Sequence, residues 1–263
     1  MDTYFNFYRF FLVLKKDVIE NGKTALFGML TIFSFSSLII IFTASYGNPY
    51  GLAEANVGMY GVTFLFSGLF FSGMAFKDFR NKERTMSFLT LPASSIEKFL
   101  SMLVLTTIGF YISFSILHMA FNLFNIAVIK SLPTALSLDF INPFILNEKM
   151  QSYISFFIPI QAIFLAGSTT FKKVPFFYTS LLLFVVGILY AILLFTIIYY
   201  IFNDYNFVAG GGYSSINVNS AHVHYQFDSD NIFPFYSLKF FSTYLIAPIF
   251  WVVAWFKINE KEV

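Results

Sequence analysis

Long apolar runs separated by short charged stretches set the rhythm of this chain. A helix crossing a hydrocarbon core of ~30 Å needs roughly 20 apolar residues. Six segments meet that length: residues 24–46, 57–76, 103–128, 151–171, 176–202 and 238–256. The fourth is the weakest, because Pro159 and Gln161 interrupt it. Proline is tolerated in a membrane helix where neighbouring groups satisfy the freed carbonyl. Before the first run, Phe7, Phe10, Phe11 and Leu14 recur at i, i+3, i+4, i+7 on one helical face. Lys15, Lys16, Asp17 and Glu20 follow. Residues 1–23 are therefore expected to form an amphipathic helix in the membrane interface. The plainer alternative is an extension of the first span. The seven charges in this stretch and the length of the run after it predict a retained helix rather than a cleaved signal peptide.

Composition agrees with the pattern. Of 263 residues, 57% are hydrophobic and 11% charged, where a soluble domain carries about 25% charged residues. The 39 phenylalanines read as lipid-facing bulk. With no cysteine, disulfides, thiolate metal sites and a Cys nucleophile are excluded.

Charge distribution orients the chain. With the N-terminus in the cytoplasm, the inner segments hold Arg9, Lys15, Lys16, Lys23, Lys77, Arg80, Lys82, Arg84, Lys98, Lys172, Lys173, Lys257 and Lys261. The outer segments hold only Lys130, Lys149 and Lys239. The positive-inside rule then predicts both termini in the cytoplasm and an even number of spans. The expected fold is an all-α polytopic membrane protein, with residues 1–23 as the interfacial helix and 24–263 as a six-span domain.

The loop over 77–102 is unusually charged and helix-like. Its stretch 77–101, KDFRNKERTMSFLTLPASSIEKFLS, carries eight charged residues. Met86, Phe88 and Leu89 can share a helix face, Pro92 ends that helix, and Ser94 with Glu97 three residues on is a capping-box pattern. Ile96, Phe99, Leu100 and Leu103 then repeat at helical spacing into the third span. A plain connection between helices takes about 2–8 residues. The excess is either a surface built for a partner or a charged loop that only fixes topology.

This segment resembles the cytoplasmic loop of type-2 ABC-transporter permeases. The residues that carry the likeness are Glu83-Arg84, TMSFLTL, Pro92, the small-residue turn ASS and IEKFL. The layout of interfacial helix, six spans, short first outer loop and long last one is similar too. In that family the short helix is the coupling element that docks an ATPase subunit. The resemblance implies that Arg80, Lys82, Glu83, Arg84, Phe88, Leu89, Pro92 and Glu97 form an ATPase-docking surface. It further implies a separate ATPase polypeptide, a second permease copy as homo- or heterodimer, and a cell membrane of the bacterial inner type as location. The family often has Gly-Thr before the apolar helix. Here Arg84-Thr85 stands there, so the register of the coupling helix stays open.

No motor is expected on this chain. Gly22-Lys23-Thr24 ends like a phosphate-binding loop, but the required earlier glycine is Asp17. No catalytic constellation is expected, no cofactor and no nucleic-acid partner. In the third span, His118, Asn122 and Asn125 fall on one face at i, i+4, i+7. They read as a polar path or dimer seam, or as interhelical hydrogen bonding that holds the bundle. The outer loop 203–237 alternates Ile216, Val218, Val223, Tyr225 and Phe227 with polar residues, as two short strands would. His222 and His224 with Asp228 and Asp230 suit a divalent metal in residue type, but a His-x-His pair alone assigns none. Two functions stand at this point: the membrane permease subunit of an ATP-driven exporter, or a non-transporting scaffold or sensor that recruits another cytoplasmic partner.

Overall fold

The computed structural model describes residues 5–46, 49–80, 82–132, 138–145, 148–202, 208–210, 215–219, 224–228 and 245–262. The helices are α1 (Phe7–Ser45), α2 (Pro49–Gly73), α3 (Lys82–Leu89), α4 (Ser95–Val104), α5 (Phe110–Lys130), α6 (Glu148–Thr170), α7 (Pro175–Phe202) and α8 (Ile246–Glu262). A 3₁₀ turn, Lys77–Arg80, precedes α3. A π-turn, Leu105–Gly109, joins α4 to α5 without a break, so Ser95–Lys130 is one rod of 36 residues.

Five described helices are long and apolar enough to cross a membrane: Phe7–Ser45, Gly51–Gly73, Ser95–Lys130, Met150–Thr170 and Pro175–Ile197. Several such helices are the pattern of a multi-pass membrane protein. The expected sixth span, 238–256, lies partly outside the described residues. Its described part belongs to α8, which has 17 residues.

The expected interfacial helix and the first span form one helix, which is the plainer alternative of an extension of the first span. Asn6 caps it by accepting from the Tyr8 N–H, and it runs unbroken for 39 residues. At 1.5 Å per residue that is about 58 Å, nearly twice a hydrocarbon core of ~30 Å. Its first turns pack on α4, where Asp17 meets Ser101, and Val13 is buried, while Phe7 and Phe11 of the expected apolar face are exposed.

Three apolar clusters fill the bundle from end to end. Phe76, Phe79, Phe88, Phe99, Met102, Leu165 and Ile258 fill the end that carries α3. Phe33, Tyr60, Phe64, Phe110, Phe114 and Phe157 fill the middle. Ile40, Ala44, Leu52, Ile129 and Leu138 fill the far end. Phenylalanine is thus core as well as lipid-facing bulk. Rings such as Phe64–Phe157 and Phe33–Phe114 meet at 5.0 Å between centroids, in the range where aromatic pairs attract beyond their area.

Small residues set the helix spacing. A Cβ on Gly68 would collide with Phe157 and Phe110, one on Gly61 with Tyr153, and one on Gly167 with Thr179. Helix α6, expected to be the weakest span, has the most buried span window of the five. It continues through Pro159. Its Gln161 is fully buried and paired: Nε2 donates to Thr106 Oγ1 at 3.0 Å, and Oε1 accepts from Trp251 Nε1 at 3.3 Å. Helix α7 touches the bundle near its start, where Phe176 packs beside Gly73 and Thr179 beside Gly167.

Between α7 and α8 lies a three-stranded antiparallel sheet, β1 (Val208–Gly210), β2 (Ser215–Asn219) and β3 (His224–Asp228). The expected alternation appears in its register, with Ile216 opposite Phe227 and Val218 opposite Tyr225. The described residues are therefore helical with one small sheet, whose third strand, β1, adds to the two short strands expected. Val223 lies outside the described residues.

Candidate functional site

The α3 end of the bundle is built from residues far apart in sequence. The capping box anticipated at Ser94 and Glu97 forms both ways, with Glu97 N–H donating to Ser94 Oγ and Ser94 N–H donating to Glu97 Oε2 at 2.8 Å. The same carboxylate reaches α1. Its Oε1 accepts from Asn6 N–H at 2.6 Å and from Arg9 Nη2 at 3.2 Å. Two turns along α1, Asp17 accepts from Ser101 Oγ at 2.7 Å, and both residues are buried. A buried carboxylate is stable only with such donors, so these contacts clamp the first turns of α1 to α4.

Helix α8 clasps the opposite side. Lys261 Nζ donates to the Thr169 carbonyl at 2.6 Å and stands 3.8 Å from the Phe79 ring centroid, a close cation–π contact. Ser95 Oγ donates to Asn259 Oδ1 at 3.1 Å. Burial first, and then the neighbouring Lys172 and Lys257, lower the Lys261 ammonium to about 8.

Helix α3 is plugged into this frame by Phe88. The ring is buried, edge-on to Phe79 at 5.2 Å, and Lys98 lies over it at 5.6 Å. Thr85 Oγ1 donates to the Asp78 carbonyl at 3.1 Å and ties α3 to the 3₁₀ turn. The turn after α3 brings the chain through Pro92 to the Ser94 cap, as the sequence predicts. Glu83, Met86, Ser87, Thr90, Pro92 and Ile96 remain exposed. Of the eight expected docking residues, Glu83 and Pro92 are thus at the surface, while Phe88 and Glu97 are inside and engaged with the chain itself. Arg80 closes the 3₁₀ turn, and Lys82, Arg84 and Leu89 sit on α3. The side chains of these four lie outside the described residues.

His118, Asn122 and Asn125 are all buried on α5, as one face. The His118 ring meets Tyr60 edge-on at 4.7 Å. Asn122 Nδ2 donates to Asn56 Oδ1 at 3.4 Å. Gly22-Lys23-Thr24 lies inside α1, so those residues form no loop around a phosphate. His224 and Asp228 sit on β3, whereas His222 and Asp230 lie outside the described residues. Among the described residues, no three His, Cys, Asp or Glu side chains gather as a metal site.

Arg9, Asn6, Asp17 and Lys261 were not legible as site residues. Arg9 and Glu97 are 88 positions apart, and no local pattern links them. Comparison with protein-family models, with curated proteins and with solved structures finds no match.

Proposed function

We propose that this chain is the membrane permease subunit of an ATP-driven exporter, with both termini in the cytoplasm, six spans, and a separate ATPase docked on residues 80–98. The observation that carries the reading is the mounting of α3. A short helix with an exposed face, Glu83 and Met86 outward, is fixed by Phe88 to the base of a continuous 36-residue rod. Arg9 and Glu97 brace that rod from α1, and Lys261 braces the 3₁₀ turn from α8. A loop that only fixed topology would need none of this bracing. A surface that receives force would, because motion at α3 then passes into the bundle instead of being absorbed by the loop. The chain works as a dimer, and no residue within the spans performs chemistry.

The test is purification in mild detergent from the native membrane, with identification of co-purifying chains by mass spectrometry. A stoichiometric soluble ATPase is expected, and Glu83→Lys should release it while the chain still inserts. Intact complexes without an ATPase would sink the reading and leave the scaffold alternative in its place.

A further inference from the structure

Helix α1 meets the α4–α5 rod twice and stands away from it in between. Near α3, Asp17 accepts from Ser101 at 2.7 Å. Further along, Phe33 packs on Phe114 with 5.0 Å between ring centroids. These two contacts lie about 24 Å apart along α1. Between them is a cavity of about 370 Å³, within the range of about 300–1,000 Å³ usual for small-ligand sites. Gly22, Ala25 and Met29 form one wall, and Gly109, Ser113 and Leu117 the other. Small residues facing each other ordinarily let helices close up. Here they do not: a Cβ on Gly22 would meet no atom within 4 Å. The rim at Val18, Leu26 and Ile116 is exposed, so the cavity opens sideways from the bundle. Residues 105–117 are the part of the third apolar run nearest α3, which places the opening in the membrane half at that end.

The lining decides the occupant. Asn21 and Ser113 carry the only polar side chains on it. An apolar space of this kind does not hold water, and leaving it unfilled forfeits dispersion contacts along both walls. Hydrocarbon is the filler it suits. A helix from a second copy, about 10 Å across, would lie over the opening without entering it; one acyl chain enters. The mouth adds a charge. Lys15 and Lys23 stand one turn to either side of Ile19 on α1, both exposed, and neither has an ion pair among the described residues. The acids on this stretch of α1 are already engaged, Glu20 with Lys16 at 3.1 Å and Asp17 with Ser101. The half-buried Asn21 amide has no hydrogen-bond partner among the described residues either. Two free cations and an amide beside an apolar slot complement a phosphate carried on a hydrocarbon chain.

We propose that this cavity is a lipid site. It takes one acyl chain of an anionic phospholipid from the leaflet at the α3 end, with the headgroup phosphate between Lys15 and Lys23 and the chain against Gly22, Ala25 and Gly109. The site requires only that the bundle lies in a membrane, so it stands apart from the ATPase reading.

The test is photo-crosslinking of the full chain in phosphatidylcholine vesicles. A small fraction of the lipid is phosphatidylglycerol, or phosphatidylcholine, with a diazirine midway along one acyl chain, and mass spectrometry of peptides locates the adducts. Exposed Phe184, Val186 and Leu189 on α7 report the ordinary lipid shell. Adducts should concentrate on residues 18–29 and 105–117. There the phosphatidylglycerol probe should label at least about fivefold more than the phosphatidylcholine probe, while α7 labels alike with both. Gly22→Leu with Ser113→Leu fills the cavity from both walls. The leucine at position 22 meets no atom at its Cβ and favours the helix, so the fold is kept. Cavity adducts should then fall to the α7 level, with α7 labelling unchanged. Lys15→Gln with Lys23→Gln should bring phosphatidylglycerol adducts down to the phosphatidylcholine level. Adducts in the cavity no denser than on α7, or unchanged in the filled variant, would overturn the site. Equal labelling of the natural chain by the two probes would overturn the anionic headgroup.

Discussion

Glu97 gathers donors from two distant parts of the chain, and its substitution separates their contributions. Glu97→Ala removes the capping box, strands the Asn6 and Ser94 N–H groups and ends the Arg9 ion pair. Losing one partner of a buried, hydrogen-bonded charge network destabilises by about 2–4 kcal/mol, with Arg9 partly exposed and the lower half of that range expected. Arg9→Ala leaves both backbone donors on the carboxylate and should cost about 1–2 kcal/mol. Thermal unfolding in detergent reads both, and the two variants falling together would show that Arg9 alone fixes Glu97. Lys261 gives a pH dependence. Its folded value is about 8, while an unfolded lysine holds its proton to about 10.4. Between those values unfolding takes up a proton, so stability rises with pH. The difference in melting temperature between the natural chain and Lys261→Met should therefore move in favour of the natural chain from pH 8 to pH 10. A flat difference would mean that Lys261 is solvated.

At the scale of elements, the sequence spoke clearly wherever the signal was local. Pro92, the Ser94–Glu97 pair and the apolar spacing after it placed α3, the turn and α4 within a few residues. The three-residue spacing of a capping box is set by helix geometry, so it can be read from one strand of text. What joins elements could not be read. The Arg9–Glu97 contact depends on the angle at which α1 crosses α4, and periodicity carries no information about crossing. The continuity of α1 was hidden for another reason. Charges at Lys15, Lys16, Asp17, Glu20 and Lys23 mark where lipid ends, not where a helix ends, and all are good enough helix formers to let it run on. Close helix contacts yield the third prediction. Gly68→Ala and Gly167→Ala force side chains apart and should destabilise by about 1–3 kcal/mol. Gly28→Ala meets no atom within 4 Å and should be neutral or mildly stabilising. Equal losses at all three positions in a detergent melt would mean that the interhelical spacing is wrong.

For the whole molecule, the proposed six crossings assign each part to one face of the membrane. Helix α8 packs against α6 and α4 through Ala254 and Ile258, which puts its C-terminal part at the α3 end of the bundle. The β-sheet precedes it in the chain. If residues before Ile246 complete a sixth crossing, the sheet and the C-terminus lie on opposite faces. Ser215→Cys and Lys257→Cys should then label with an impermeant reagent from opposite sides of sealed vesicles. Labelling from one side would reduce the count to five and reverse the assignment of one terminus.

The unbroken passage from α4 through the π-turn into α5 has a mechanical consequence. The 21 residues of α5 make an arm of about 31 Å, and the Leu105–Gly109 turn, wound with five-residue hydrogen bonds, is its natural fulcrum. A lever of that length enlarges whatever happens at its foot: a tilt of about 5° at the Glu97 end sweeps Lys130 sideways by nearly 3 Å. A small displacement at the foot thus becomes a larger one at the opposite end of the bundle.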